Sequence, residues 1–231
     1  MSIYAIADLH LSFLHDKPMD IFGDNWENHA EKIRNNWIKK VKKEDCVILP
    51  GDFSWEMNLK DTKLDFKYLN DLPGRKILLK GNHDYWWTTI TKMNNFLKEN
   101  EFDNIEFLYN NSYLIENKII VGTRGWNIQD TENNSKMIKR ENARLELSIQ
   151  DGINKFGTDK EIIAFMHYPP INKNINEKTE FEKTLEKYNI HRCYYGHLHG
   201  ASHNDAVEGN VHGIEYKLIS ADYLKFDLVE I

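Results

Sequence analysis

Lys76-Ile77-Leu78-Leu79-Lys80-Gly81-Asn82-His83-Asp84 is the stretch on which the fold turns. A short apolar run stops at a glycine and three polar side chains, and the aromatic cluster Tyr85-Trp86-Trp87 follows. Such a run, bounded by turn residues, predicts a buried strand. Gly81 lets the chain turn without a Cβ penalty. Asn82 offers a neutral oxygen, His83 a proton that moves near neutral pH, and Asp84 a carboxylate able to orient that imidazole.

Four other predicted strands finish in the same way. Residues 3–7 run into Asp8-Leu9-His10, and Cys46-Val47-Ile48-Leu49 into Pro50-Gly51-Asp52. Residues 161–166 run into His167-Tyr168-Pro169-Pro170, where two prolines force the chain out of the sheet. Arg192-Cys193-Tyr194-Tyr195 runs into Gly196-His197-Leu198-His199-Gly200.

Helical patterns separate the first three strands. Trp26, Ala30, Ile33, Trp37 and Val41 recur at spacings of three and four, with Lys39, Lys40, Lys42 and Lys43 on a solvated face. Residues 58–70 follow, with Leu59, Leu64, Phe66 and Leu69 as candidates for burial, and then residues 88–99. Alternating strand and helix predicts a parallel sheet wrapped by helices. The middle of the chain differs. Glu106-Phe107-Leu108, Ser112-Tyr113-Leu114-Ile115 and Lys118-Ile119-Ile120-Val121 read as an antiparallel ribbon that begins a second sheet. Thr123-Arg124-Gly125-Trp126 then opens a polar loop to about residue 135. Helices over residues 136–150 and 177–188 are expected beyond it. The tail is expected to hold two or three strands, including residues 214–219 and 224–229.

The 231 residues suit one larger domain with a well-buried core, and 41% hydrophobic content is ordinary for a globular chain. A formal net charge of -6 disfavours duplex nucleic acid as the main partner, although a local basic patch is compatible with it. No apolar run is long enough to predict a membrane span, and residues 1–7 read as a first strand and not a signal peptide. Cys46 and Cys193 each open an apolar run and are expected to be buried free thiols, consistent with a reduced, cytoplasmic setting.

Ligands of parallel sheets bind beyond the carboxyl ends of the strands, so the strand-end groups are expected to converge. In Asp8-x-His10 and His197-x-His199 an extended backbone would aim both members of each pair the same way. Asp8, Asp52, Asn82, His10, His167, His197 and His199 form a mixed nitrogen and oxygen set. Such a set suits Mn, Fe, Zn, Co or Ni better than Mg or Ca. Seven ligands exceed one tetrahedral site and suit two cations sharing a carboxylate, the usual device for phosphoryl hydrolysis.

The ordered set Asp-x-His, Gly-Asp, Gly-Asn-His-Asp, a lone His and Gly-His-x-His resembles the calcineurin-like metallophosphoesterase superfamily, and spans residues 8 to 199. The resemblance implies an α/β fold, two mixed β-sheets packed as a sandwich flanked by helices. It implies that Asp8, His10 and His199 bind one divalent metal, that Asn82, His167 and His197 bind the other, and that Asp52 bridges them. A hydroxide bridging the metals would attack in line. His83 would act as general acid, with Asp84 fixing its orientation. The other histidines, His15, His29, His191, His203 and His212, are read as non-ligands, with His15 and His203 nearest the motif blocks.

A small phosphomonoester or phosphodiester is the expected substrate. Trp55 and Trp126 are candidates to line its pocket, and Arg124 to grip a phosphate oxygen; Trp86 and Trp87 read as core. A nuclease is the alternative enzyme, disfavoured by the acidic charge. A scaffold that kept the fold and lost the chemistry is disfavoured because every ligand and His83 are present.

Overall fold

The structure is a computed structural model and describes residues 1–15, 17–129, 131–173 and 177–231. Parts of three predicted segments lie outside the described residues: position 16 in the first loop, position 130 in the middle loop and positions 174–176 ahead of the last helix. The chain runs β1 (Ile3–Ala5), α1 (His29–Lys40), β2 (Cys46–Pro50), α2 (Lys63–Asp71), β3 (Arg75–Leu79), α3 (Ile90–Glu99) and β4 (Ile105–Phe107). It continues through β5 (Tyr113–Ile115), β6 (Lys118–Thr123), α4 (Thr131–Phe156), β7 (Glu161–Met166), α5 (Glu180–Lys187) and β8 (Arg192–Tyr195). β9 (Gly209–Val211), β10 (Ile214–Leu218) and β11 (Val229–Glu230) complete it.

Two mixed sheets result, in the orders β11-β1-β2-β3-β4 and β5-β6-β7-β8-β10-β9. The central pairs β1–β2, β2–β3, β6–β7 and β7–β8 are parallel. Their strands are mostly apolar because both faces are covered, with the charged residues Arg75, Lys118, Glu161 and Arg192 at the strand starts. Ile3, Ala5, Cys46, Ile48 and Ile77 pack against Ile120, Ile163, Phe165 and Tyr194 of the facing sheet. The alternate residues Tyr4, Val47, Leu49 and Leu78 pack outward with Ile33 and Trp37 of α1, Phe66 of α2 and Met93 of α3. Ile119, Val121 and Ala164 pack outward with Leu145 and Ile149 of α4 and Phe181 of α5. The expected sandwich flanked by helices is the observed one, and Cys46 and Cys193 are buried and unpaired.

Several boundaries differ from expectation. β4 pairs in parallel with β3, so residues 105–107 extend the first sheet; only β5 and β6 form the antiparallel ribbon that opens the second. Leu64 is 44% exposed, while its neighbour Asp65 is fully buried. The Asp65 carboxylate accepts hydrogen bonds from the Ser54 hydroxyl and the Phe13 amide, which outweighs the apolar spacing. The strand expected over residues 224–229 reduces to β11, and α4 is longer at both ends than the helix expected over residues 136–150. Among the described residues no helix is long and apolar enough to cross a membrane.

Candidate metal centre

Each strand-end group sits just past a parallel strand. Asp8 follows β1, Asp52 follows β2, Asn82 follows β3, His167 follows β7 and His197 follows β8. The first three belong to one sheet and the last two to the other, so the centre lies where the carboxyl edges of both sheets meet. The chain does not leave these strands extended. Asp8 (φ 62), His10 (φ 46), Asp52 (φ 51) and His197 (φ 74) are all left-handed, which corrects the expectation of extended i, i+2 pairs. Such residues cost on the order of 1–3 kcal/mol each and persist where the surroundings over-determine them. Here the Asp8 amide donates to Gly51 O at 3.0 Å, the His10 amide to Asp52 O at 3.0 Å, and the Gly196 amide to His167 O at 3.1 Å.

Two glycines make room for the carboxylates. A Cβ on Gly81 would lie 2.1 Å from Asp52 Oδ1, and one on Gly196 would lie 2.4 Å from Asp8 Oδ2. With that space, the ligand atoms gather. His10 Nε2 and His199 Nε2 stand 3.3 Å apart, and Asp8 Oδ1 lies 3.6 Å from His199 Nε2. Asp52 Oδ2 lies 3.5 Å from His167 Nε2 and 3.9 Å from His10 Nε2, and Asn82 Oδ1 lies 2.6 Å from His167 Nε2. Ligands around a tetrahedral ion with bonds of ~2.1 Å are separated by roughly 3.4 Å, so most of these spacings fit a shared cation. Asp8 Oδ1 is buried and has no hydrogen-bond partner, as expected of an atom reserved for an ion.

Asp8, His10 and His199 form one compact group of ligand atoms, and Asp8, Asp52 and His167 form another. The first holds the three residues that the resemblance assigns to one metal. Asp8 belongs to both groups, while Asp52 belongs to the second and lies 3.9 Å from His10 Nε2 of the first. The His197 ring packs 5.1 Å from that of His167, and its amide donates to Asp8 Oδ2 at 3.0 Å.

The outer nitrogens of two histidines are fixed by protein groups. His167 Nδ1 meets Pro50 O at 3.1 Å, and His199 Nδ1 meets Asp222 Oδ1 at 2.8 Å. Each contact leaves Nε2 turned inward, the arrangement that sets the tautomer of a metal-ligating imidazole. Asp222, four residues past β10, belongs to no motif quoted above; its one sequence signal is an acidic residue beyond a strand end. It also meets His203 Nε2 at 3.2 Å, and His199, His203 and Asp222 form a third compact group. His15 instead pairs with Glu56, Nδ1 to Oε2 at 2.7 Å.

Protonation follows burial and neighbours. Burial pushes His167 down to about 3 and His197 down to about 4, and holds His10 well below its ordinary range. These imidazoles are neutral and free to donate electron pairs. Burial also acts to lower His199, but Asp8 and Asp222 outweigh it and raise His199 to about 10. Burial, with Asp84 and Asp8 nearby, raises Asp52 well above the usual carboxylate range. Crowded carboxylates that resist ionising together are a further sign of a place for positive charge.

His83 stands beside this centre, its ring 5.9 Å from His10 and 4.2 Å from Trp55. Its Nδ1 is buried without a partner. Asp84 does not orient it. The Asp84 carboxylate is fully buried and accepts five other hydrogen bonds. They come from the amides of Asp52, Phe53, Ser54 and Gly81 and from Trp86 Nε1. Asp84 therefore ties the loop after β2 to the loop after β3. Trp86 and Trp87 are buried in the core, as expected.

Two clefts flank the centre. One, of about 440 Å³, is lined by His10, His83 and His199 together with Met19, Trp26 and Trp55. Trp55 stacks on His10 at 5.0 Å, so its candidate role keeps it at the site. The other, of about 560 Å³, is lined by Trp126, Gln129, Tyr168, Asn172, His197 and Asp205. Tyr168, quoted in the sequence without a role, packs 4.2 Å from the His197 ring. Arg124 lies over the Trp126 ring at 4.4 Å and 3.5 Å from Glu141 Oε1, which places it behind the wall of this cleft.

Known proteins agree with this architecture. The 80-residue match to Gene 66 protein of Mycobacterium phage L5 is 35% identical, over 34% of this chain and 37% of that protein. The chain thus spans little more than a third of that curated relative. Among solved structures, phosphopantetheinyl hydrolase (PptH) of Mycobacterium tuberculosis superposes with a TM-score of 0.59 at 13% identity, covering 100% of this chain and 95% of that one. Protein AQ665 of Aquifex aeolicus, described as of unknown function, gives 0.52 at 21% identity over 99% and 95%. At these identities the structures establish the fold alone. The family model for calcineurin-like phosphoesterases matches residues 1–201, and with that span, which holds all five strand-end blocks, the chain belongs to the calcineurin-like phosphoesterase family.

Proposed function

We propose that the chain hydrolyses a small phosphomonoester or phosphodiester with the help of two divalent transition-metal ions drawn from Mn, Fe, Zn, Co and Ni. The observation that carries this is the convergence of Asp8, His10, Asp52, His167 and His199 from two sheets onto adjoining groups of ligand atoms. Asp8, His10 and His199 would hold one ion; Asn82, His167 and His197 would hold the other; Asp52 would lie between. Two such ions, when bound, polarise the phosphoryl group and activate water. The protein's own groups do the rest. The contacts from Pro50 and Asp222 aim two imidazoles before any ion arrives. His83 would donate a proton to the departing oxygen, a role worth about 10²–10⁴-fold for a poor leaving group. Trp55 closes one face of that imidazole against water.

With His83 in the 440 Å³ cleft, the departing alcohol faces Met19, Trp26 and Trp55, and the retained half of a diester faces Tyr168 and Gln129. The test is hydrolysis of p-nitrophenyl phosphate and bis-p-nitrophenyl phosphate with Mn supplied. Activity abolished by a chelator and restored by metal is the expected result. Turnover that persists in excess chelator overturns the proposal. The ratio of the two rates separates monoesterase from diesterase.

A further inference from the structure

A third cleft, lined by none of the candidate metal ligands, has an unusual charge balance. It is small, about 90 Å³, and lies where the ends of β3 and β6 meet α4. Four cations line it, Lys80, Arg124, Arg140 and Arg144, against one carboxylate, Glu141. The surplus of three positive charges stands out in a chain whose formal net charge is -6.

Glu141 cannot satisfy its neighbours. Its Oε2 accepts the Thr123 hydroxyl at 3.0 Å. Its Oε1 is shared among three guanidinium groups, with Arg140 Nη2 at 3.2 Å, Arg124 Nη2 at 3.5 Å and Arg144 Nε at 3.5 Å. Arg124 Nε is buried without a hydrogen-bond partner, and Arg144 Nε has only its long 3.5 Å contact with Glu141 Oε1. Unsatisfied buried donors of this kind are rare and point to an absent acceptor. Two guanidinium planes are held in place by aromatic rings, Arg124 over Trp126 at 4.4 Å and Arg144 over Tyr109 at 4.5 Å. The Arg140 and Arg144 side chains are 50% and 26% exposed, so the cluster is reached from solvent.

We infer that this cleft is an oxyanion site that takes one phosphoryl-type group. At about 90 Å³ the cleft is small and has room for one tetrahedral oxyanion. Guanidinium forks fixed by stacking suit its oxygens, which accept two parallel hydrogen bonds from one arginine. The site also adjoins the metal centre. Lys80 directly precedes Gly81-Asn82, and Arg124 connects through Trp126 and Tyr168 to His197. The anion is either a second phosphoryl group of a molecule held at the centre or free inorganic phosphate. The existence of the site does not depend on the hydrolase proposal.

The test is calorimetric titration of inorganic phosphate into the metal-loaded 231-residue chain. Wild type should bind one phosphate more per chain than Arg140→Gln/Arg144→Gln, with metal content equal in both. Loss of two charged donors should weaken that extra event by about ten- to a hundredfold or more. Identical stoichiometry and affinity in the two proteins overturns the site. Should the double variant fold poorly, sulfate soaked into wild-type crystals gives an independent result: density among the three arginines supports the site, and density elsewhere only overturns it. Rates on a hexose bisphosphate and the matching monophosphate separate the two sources. A selective loss for the bisphosphate in the double variant assigns the second group to the substrate, and an equal response assigns the site to free phosphate.

Discussion

Asp84→Asn distinguishes two roles for one carboxylate. Asp84 Oδ1 accepts from Phe53 N at 3.0 Å, Ser54 N at 3.3 Å and Trp86 Nε1 at 3.0 Å. Its Oδ2 accepts from Asp52 N at 3.0 Å and Gly81 N at 2.7 Å. Asparagine keeps the shape but has one oxygen. With that oxygen placed against the three donors, its amide nitrogen confronts the N–H groups of Asp52 and Gly81. Two buried donors lose their acceptor at about 1–3 kcal/mol each, a cost of about 2–6 kcal/mol. Set against a typical total stability of about 5–15 kcal/mol, the variant folds but is severely weakened. Burial pushes Asp84 up to about 6 despite its donors, so the comparison belongs at pH 8, where the wild-type carboxylate is charged. Urea unfolding of the metal-stripped proteins, followed by tryptophan fluorescence, measures the difference. The Asp52 amide is one of the deprived donors, so metal retention should fall as well. An orienting role for Asp84 at His83 predicts instead unchanged stability and metal content with a slower rate. A stability within about 0.5 kcal/mol of wild type, the range of neutral surface changes, would refute the structural role.

His83→Ala should lower turnover of an alkyl phosphoester by about 10²–10⁴-fold while metal content, measured by mass spectrometry, stays that of wild type; a loss of metal would make His83 a ligand. Asp222→Asn weakens the contact that aims His199 and should reduce metal affinity by about 10–100-fold, read by competition with a chromophoric chelator. His199, raised to about 10 without metal, holds a proton at neutral pH that an incoming ion must displace. Metal affinity should therefore climb as pH rises from 7 to 9 and release a proton detectable by calorimetry in two buffers; a flat profile contradicts this. Lys76 is fully buried with its Nζ on Leu72 O, and burial lowers it from 10.5 to about 7. Between those values the unfolded chain binds the proton more strongly, so this group makes stability increase with pH across that window. Lys76→Met should remove that increase in thermal unfolding measured from pH 7 to 10.

Much of this was legible in the sequence because the strands with both faces buried are short continuous apolar runs, and each stops at its functional residue. Cys46-Val47-Ile48-Leu49 followed by Gly51-Asp52 is the simplest case. What failed to read was partner choice and backbone hand. A three-residue strand such as β4 carries no signal of which sheet it joins. Asp8, His10 and Asp52 are left-handed without being glycine, because hydrogen bonds from neighbouring strand ends hold them there. Asp84 sits beside His83 in sequence, yet backbone amides of another loop claim its carboxylate. Asp222 belongs to no spaced motif and meets His199 only after the second sheet forms. Glu141 and Arg144 lie within a helix whose spacing says nothing about the cleft they line.

The most direct measurement of the central claim is the metal count per chain. Protein stripped by chelator, reloaded with Mn and freed of excess should carry two ions in wild type and clearly fewer in Asp52→Ala, whose carboxylate lies 3.5 Å from His167 Nε2 and 3.9 Å from His10 Nε2. Two ions retained in Asp52→Ala, or none bound by wild type, would contradict the account.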